Sequence, residues 1–208
     1  MHLADGVLSP AVLGGGTLLA MGGVALGLRR IGQADIPKVA VLAAAFFVAS
    51  LIHVPVGPGQ VHLVLNGLAG LLLGWAVFPA LLVALLLQAM LFGFGGITVL
   101  GVNTLNMALP GVACYYLFIL LQGRRPGLRL TPLAGFLAGA GGIGLGGLML
   151  AGSLFLSDPR YAGAAGLILA AHLPLMLIEG VLTGAALVFL GKVCPAILPR
   201  NLSREDRT

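Results

Sequence analysis

The chain opens with Met1 and His2, and these two residues can supply three nitrogen ligands to a metal ion. The ligands are the α-amine of Met1, the backbone amide nitrogen of His2 and the Nδ1 atom of its imidazole. They close a five-membered and a six-membered chelate ring, which hold the donors near one plane. A fourth nitrogen would complete a square, the geometry that suits Ni(II) or Cu(II). The alternative is a frayed terminal histidine.

This chelate requires that Met1 stays on the chain and loses its formyl group. We expect no removable signal peptide, because no basic region, apolar region and small-residue cleavage site precede the opening MHLADGVLSP. The terminal amine is then a candidate ligand.

The composition predicts an integral membrane protein. Of 208 residues, 59% are hydrophobic and 8% are charged, whereas soluble domains carry about 25% charged residues. The net charge of +5 does not indicate a nucleic-acid partner, because the basic residues stand at the ends of apolar runs and form no stripe. The length fits a single domain, residues 1–208.

The apolar runs predict an all-α polytopic membrane helix bundle of about seven transmembrane segments, two of them short. The runs cover residues 10–28, 39–51, 63–75 and 77–92, a fifth run that ends near residue 122, and residues 133–156 and 162–190. Residues 53–62 and 92–107 are rich in glycine, with prolines in the first segment, and predict irregular backbone that packs on protein or lines a cavity.

The basic residues orient these segments. With the N-terminus outside and the C-terminus cytoplasmic, Arg160 is the one basic residue that faces out, as the positive-inside rule favours. We therefore expect a multi-pass protein of the inner (cytoplasmic) membrane, with the amine of Met1 on the side where an imported ligand arrives.

Three further histidines are candidates for the fourth ligand or for other chemistry. His62 lies on the same predicted side as His2 and is the favoured ligand. His53 is its rival, although it could instead be an interfacial histidine bonded to the backbone. His172 and Glu179 stand seven residues apart and share one helix face. They could form a proton relay, a metal-binding pair or a buried helix-packing pair. Since no other ionisable steps cross the membrane, we interpret Glu179 as a structural hydrogen-bonding anchor.

Four amide side chains lie within or beside apolar sequence, at Asn66, Gln88, Asn103 and Asn106. We interpret them as groups that satisfy the backbone and not as direct ligands. The glycine-rich segments do not match G-x-x-x-x-G-K-[ST], so the chain is not predicted to hydrolyse ATP by itself in that way.

Four segments of the chain match known motifs in order. They are residues 1–10, residues 61–63 with 66–70, residues 88–107 and residues 178–181. These segments resemble the motifs of the CbiM/NikM family, the membrane-embedded substrate-capture (S) components of energy-coupling-factor transporters for cobalt and nickel. The opening is similar to the family signature M-H-I-x-[DE]-G-[FVY]-L-[SP], and the match covers nearly the whole chain.

The resemblance implies a metal site and a set of partners. The ligands are the amine of Met1, the backbone nitrogen and side chain of His2, and the second-motif histidine, which is His62 here. The transported substrate is Ni(II) or Co(II), without an organic cofactor, and Asp5 favours nickel because many cobalt-type members have Glu there. The partners are a transmembrane coupling subunit and cytoplasmic ATPases. Whether a small auxiliary membrane subunit also takes part is left open.

Five residues are expected to support this site. They are His53, Asn66, Asn103, Asn106 and Glu179.

Two alternatives come from other classes of protein. An intramembrane metalloenzyme would need an H-E-x-x-H-like pair and an open water position on zinc, and the sequence contains no such pair. An ion-coupled secondary carrier working alone would need more intramembrane carboxylates or two matching halves, and the sequence offers one acid and no clear repeat. We therefore expect a metal importer and not an enzyme.

Overall fold

The computed structural model describes residues 2–56, 59–124, 132–194 and 197–198. Met1 lies outside these ranges. The side chains of residues 53–61 and 121–124 are also outside the description, although their backbone is assigned except at residues 57 and 58.

Helices dominate the described residues, as the composition predicts. They are α1 (Pro10–Leu28), α2 (Ile36–Ala49), α3 (Asn66–Leu73), α4 (Val77–Phe92), α5 (Leu100–Arg124), α6 (Pro132–Ser157) and α7 (Ala162–Val193). Each begins within a few residues of a predicted apolar run, except α5, which starts inside a segment predicted to be irregular. A short 3-10 turn, Gly74–Ala76, joins α3 to α4.

Five helical segments of the described chain are long and apolar enough to cross a membrane, judged by length and composition. They are Pro10–Leu28, Asn66–Phe92, Leu100–Leu120, Pro132–Ser157 and Pro159–Val193. The two runs predicted to be short spans are the 14-residue α2 and the 8-residue α3. Both are too short to cross alone. The structure therefore supports a multi-pass helical membrane protein with five candidate spans.

The first helix shows how local sequence and packing combine in this fold. Ser9 is its N-cap and accepts a hydrogen bond from the backbone of Val12, while Pro10 occupies the first turn, where its missing N–H costs nothing. One narrow face is buried, and Gly23 allows the ring of Phe78 on α4 to approach the helix backbone. Large apolar side chains on the other face, such as Leu18, Leu19 and Met21, are exposed, as expected for a helix that faces lipid.

Helices α3, α6 and α7 meet at glycines. A β-carbon at Gly67 of α3 would lie 2.5 Å from the carbonyl oxygen of Ala138 on α6, and one at Gly139 would lie 2.6 Å from the hydroxyl of Thr183 on α7. Since only glycine leaves room for such close backbones, these positions fix the junction. The junction buries Glu179 of α7 beside the start of α3.

A three-stranded antiparallel sheet lies in the proline- and glycine-rich region. Strands β1 (His2–Leu3), β2 (His53–Val56) and β3 (Gly59–His62) follow the order β1-β3-β2. Irregular backbone was predicted for residues 53–62, and that prediction is wrong for the stranded part. Pro55 is tolerated because β2 is an edge strand, where a missing N–H need not break the ladder.

The second glycine-rich segment behaves in two ways. Gly93, Gly95 and Gly96 have positive φ angles of 67°, 76° and 153°, so the predicted bent backbone is correct there. It is wrong from Leu100 onward, where α5 has begun. Gly101 serves helix packing instead, because a β-carbon there would lie 2.5 Å from the hydroxyl oxygen of Thr17 on α1.

Candidate metal centre

Strand pairing brings His2 and His62 together. β1 pairs with β3 in the register His2 to Gln60, and His62 lies two residues further along β3. The Nδ1 atom of His2 lies 3.0 Å from the Nε2 atom of His62. The ring centroids are 4.6 Å apart, and each residue is 2% exposed.

The separation of these two nitrogens suits a shared metal ion. Two nitrogens bound at about 2.0–2.1 Å and at right angles to each other would lie about 2.8–3.0 Å apart. The distance observed between His2 and His62 is at the upper end of this range. Neighbouring positions of one square are therefore within reach with little movement of either ring.

The outer nitrogens of both rings face oxygen acceptors. His62 Nδ1 lies 2.7 Å from the carbonyl oxygen of Leu63, and His2 Nε2 lies 2.8 Å from Oε1 of Gln88. Carbonyl oxygens only accept, so the proton of each neutral ring belongs on its outer nitrogen. The inner nitrogens then direct their lone pairs toward each other, an arrangement that a cation between them stabilises.

Asn103 on α5 binds the backbone of the first strand, β1. Its Oδ1 accepts a hydrogen bond of 3.0 Å from the backbone N–H of Leu3, and its Nδ2 donates to the carbonyl of Leu3 at 3.1 Å. This amide, which is 2% exposed, pairs with Leu3 as a neighbouring strand would. It therefore fixes the backbone that carries His2.

A loop between α4 and α5 covers the His2 imidazole. A β-carbon at Gly95 would lie 3.3 Å from Cδ2 of His2, and one at Gly96 would overlap the carboxylate of Asp5. That carboxylate accepts hydrogen bonds from the backbone and the hydroxyl of Thr98. Asp5 thus fastens the loop to the N-terminal segment, with a contact that the sequence alone does not indicate.

Glu179 supports the segment that follows His62. Its fully buried carboxylate accepts hydrogen bonds from the backbone N–H groups of Val64 and Leu65. Leu65 has a left-handed φ of 53°, so this turn needs support. The same turn provides the Leu63 carbonyl that His62 contacts, and Glu179 therefore acts on His62 through the main chain.

The remaining amides of the predicted set join helices. Asn66 donates to the carbonyl oxygens of Met107 and Gly142 at 3.4 and 3.1 Å, which ties α3 to α5 and α6. Asn106 donates to the Ser153 hydroxyl at 3.2 Å, which ties α5 to α6. Within the described residues, the hydrogen bonds of these two amides join helices and reach neither imidazole.

Two predicted site residues fall outside what the structure describes. Met1 is one of them, so the position of its amine stays a prediction. His53 is described only in its backbone, which pairs with His62 across the β2–β3 hairpin, and its side chain is outside the description. Its role as a rival ligand is therefore untested.

His172 makes its hydrogen bond within its own helix. Its Nδ1 is 2.7 Å from the carbonyl oxygen of Ile168 one turn earlier in α7, and its Nε2 has no hydrogen-bond partner within the described residues. No group of three His, Cys, Asp or Glu residues that could hold a metal occurs in the described part of the chain. A metal at His2 and His62 would therefore draw its other ligands from the main chain or from outside the described ranges.

Gln88 is the contact that the sequence reasoning missed. Gln88 is fully buried and its side chain contacts His2 directly, whereas the sequence predicts an amide that bonds to backbone groups. The available signal was its place as the single strongly polar side chain in the apolar run of α4.

Comparison with known proteins identifies the family. Residues 2–197 match the model of the CbiM family, described as a cobalt uptake substrate-specific transmembrane region. The chain belongs to the CbiM family. The resemblance drawn from the four motifs is thereby confirmed.

Relatives of this CbiM family member are metal transport proteins. A Haemophilus influenzae protein with a provisional name as a metal transport protein is 45% identical over 202 residues, covering 97% of this chain and 98% of that protein. The cobalt transport protein CbiM of Sorangium cellulosum is 36% identical, with 96% and 95% coverage. The fused nickel transport protein NikMN of Rhodobacter capsulatus is 35% identical over 84% of this chain and 53% of its own length.

A solved structure with a similar fold is also a metal transporter. The crystal structure of a transition metal transporter superposes with a TM-score of 0.81 and 27% identity, covering 93% of each chain. The relatives and the structural neighbours are transporters and not enzymes. The expectation that this chain is not an enzyme is therefore confirmed, and the chain is a transmembrane component of cobalt or nickel uptake.

Proposed function

We propose that the chain is the S component of an energy-coupling-factor transporter, which captures Ni(II), or less favourably Co(II), outside the inner membrane. The observation that carries this proposal is the buried pair of imidazole nitrogens, His2 Nδ1 and His62 Nε2, 3.0 Å apart beside the start of the chain. The metal is the transported substrate.

The ligand set of the proposal has four nitrogens in one plane. They are the amine of Met1, the backbone nitrogen and Nδ1 of His2, and Nε2 of His62. His53 would support the hairpin and not bind the metal. The deprotonated backbone nitrogen makes the ligand field strong, and a strong square field favours Ni(II), whereas Zn(II) has no such d-electron preference and usually takes tetrahedral sites.

The order of affinities follows from this field. We expect Ni(II) to bind more tightly than Co(II), and Co(II) more tightly than Zn(II). Cu(II) would bind at least as tightly as Ni(II) by the usual order of divalent metals. Selection against copper would then depend on the supply of metal and not on these four ligands.

The proposed topology has seven segments, with α2 and α3 as short segments beside the five candidate spans. The N-terminus is outside and the C-terminus cytoplasmic, because this orientation leaves the arginines that follow α1 on the inner side. Residues 1–208 act as one domain in this proposal, and the metal centre faces the side from which the ion arrives.

The proposed partners are a transmembrane coupling subunit and cytoplasmic ATPases, since the sequence offers no phosphate-binding loop of its own. A small auxiliary membrane subunit is a further proposed partner, supported by the name of one relative, the fused nickel transport protein NikMN of Rhodobacter capsulatus.

Spectroscopy of the nickel-loaded protein tests the proposal. The purified full chain in detergent is titrated with Ni(II) and examined by absorption and magnetic measurements. One tightly bound, low-spin, diamagnetic nickel per chain is the expected result. Octahedral, water-rich nickel would contradict the four-nitrogen site. A second assay measures nickel uptake by cells that express the chain with and without its coupling subunit and ATPases, and ATP-driven uptake by the chain alone would contradict the proposed partnership.

A further inference from the structure

We propose that Gln88 is a positioning residue that selects the chelating tautomer of His2, through a hydrogen-bond chain that begins on α2. The inference rests on the proposed function, since it concerns how the first two residues are prepared for the metal. It assigns to α2 and α4 a role that family membership and the four motifs do not state.

The chain of hydrogen bonds has one consistent direction. The hydroxyl of Ser50, at the end of α2, donates to the carbonyl oxygen of Phe47 at 2.9 Å. Because the hydroxyl proton of Ser50 is used in that bond, the hydroxyl oxygen accepts a hydrogen bond from Nε2 of Gln88. The same Nε2 atom lies 3.5 Å from the carbonyl oxygen of Phe47. The nitrogen end of the Gln88 amide is therefore fixed toward α2.

The oxygen end of the same amide then faces the metal centre. Oε1 of Gln88 lies 2.8 Å from Nε2 of His2. Had the amide been reversed, its oxygen would lie beside the Phe47 carbonyl, which cannot donate, and Ser50 would have to give up its hydrogen bond to that carbonyl in order to donate to Gln88. Ser50 and Phe47 thus decide which end of Gln88 meets His2.

An oxygen acceptor at Nε2 decides the tautomer of the ring. The amide oxygen can only accept, so neutral His2 carries its proton on Nε2 and presents its lone pair on Nδ1. Only Nδ1 can close the six-membered ring with the backbone nitrogen of the same residue. The opposite tautomer would place a proton on the atom that must bind the metal.

Burial makes this selection effective. Gln88 and Ser50 are fully buried, and His2 is 2% exposed, so bulk water does not compete for Nε2. The contact also aims the ring, because it holds the far side of the imidazole while Nδ1 stands 3.0 Å from His62 Nε2. Hydrogen bonds of this kind to metal-binding histidines fix ring orientation and raise ligand basicity.

The choice of a neutral amide has a consequence for release. A carboxylate at this position would polarise the imidazole more strongly than an amide oxygen does. Gln88→Glu should therefore bind nickel at least as tightly as the unmodified protein and release it more slowly. A transporter must give up its cargo, which favours the weaker acceptor.

Two variants and one matched control test the proposal. Gln88→Leu removes the acceptor at similar size, and Gln88→Glu restores it. Thr104→Val is the control, since Thr104 is fully buried on α5 but donates only to the Leu100 carbonyl of its own helix. The full chain in detergent is titrated with Ni(II) in competition with a chelator, and the tautomers of its four histidines are read by nitrogen-15 NMR without metal.

The expected results separate positioning from general stability. Gln88→Leu should weaken nickel binding by about 10–100-fold and give His2 a mixture of tautomers, while Gln88→Glu recovers both properties. Thr104→Val should leave the affinity and the tautomer unchanged. A Gln88→Leu variant that keeps full affinity and the Nε2–H tautomer would overturn the proposal.

The remaining outcomes are also decisive. If Gln88→Leu does not fold, Ser50→Ala takes its place, because it removes the hydroxyl that orients the amide and should weaken binding about three- to tenfold. Unchanged affinity and tautomer in Ser50→Ala would overturn the inference. If the unmodified chain shows the Nε2–H tautomer at His2 but binds no nickel, the proposed function fails while the assignment of Gln88 stands.

Discussion

The Nδ1 atom of His2 lies 3.0 Å from the Nε2 atom of His62, although sixty residues separate them along the chain. The first strand joins the β2–β3 hairpin as its third member, and this pairing brings the two rings to one place. The proposed metal centre therefore has two halves, one on the first strand and one on the hairpin. Each half can be altered without touching the other.

Acetylation of the α-amine of Met1 should abolish tight nickel binding. The acetyl group converts the amine into an amide, which binds a metal only after it has lost its proton, so the chelate loses one ligand. Titration of Ni(II) into the acetylated and the unmodified protein measures the loss, expected to exceed about 100-fold. Acetylation confined to the side chains of Lys38 and Lys192 is the control, and equal affinities for the two acetylated proteins would contradict the terminal ligand.

The two hairpin histidines should differ in their effect. His62→Ala removes a nitrogen that faces His2 directly, so we expect a loss of nickel affinity of more than about 100-fold. His53→Ala should cost less, because His53 is predicted to support the hairpin. Both are measured by direct titration. A larger loss for His53→Ala would reverse the ligand assignment.

Asn103 and Asn106 form a matched pair on α5. Asn103→Leu removes both hydrogen bonds to the Leu3 backbone, and should destabilise the N-terminal strand by about 1–3 kcal/mol and weaken nickel binding. Within the described residues, Asn106→Leu removes hydrogen bonds with Ser153, so it should lower thermal stability without changing nickel affinity once folded. Nickel titrations and melting curves of the two variants separate these effects. Equal affinities in the two variants would show that the strand needs no such clamp.

Glu179 and Thr183 offer a second matched comparison, one turn apart on α7. Glu179→Gln replaces an oxygen that accepts from Val64 and Leu65 with an amide that can present a hydrogen there, and should cost about 1–3 kcal/mol of unfolding free energy. The hydroxyl of Thr183 is buried and has no hydrogen-bond partner within the described residues. Thr183→Val should therefore leave the melting temperature unchanged or raise it.

Nickel titration completes that comparison. Glu179→Gln should also weaken binding, because it loosens the turn that supplies the Leu63 carbonyl to His62. Thr183→Val should bind nickel like the unmodified protein. A Thr183→Val variant that is as unstable as Glu179→Gln would mean that burial of any polar group on α7, and not the turn, accounts for the effect.

The helices could be predicted because apolar runs and glycine positions are local signals. Strand β1 could not, since two residues carry no periodic pattern and its partner lies far along the chain. The start of α5 was missed because Gly101 indicates a bend when it is considered alone, whereas its neighbour Thr17 on α1 shows a close helix contact.

The site divides in a similar way. The pairing of His2 with His62 follows from donor chemistry, because the chelate must find one more nitrogen on the same side of the membrane. The role of Gln88 does not follow from sequence, since an amide in an apolar run can bond to any nearby backbone group. Only the positions of Ser50 and Phe47 determine which end of that amide faces His2.

The contacts of the first strand have a consequence for synthesis of the protein. His2 and Leu3 are made well before their partners, which lie 60, 86 and 100 residues further along the chain. The groups that hold them, Gln88 on α4 and Asn103 on α5, are in position only after these helices have been made and have packed together. Contacts of such long range form slowly, because the intervening chain must be ordered first. The strand that carries His2 therefore docks late, after the helices that hold it have assembled.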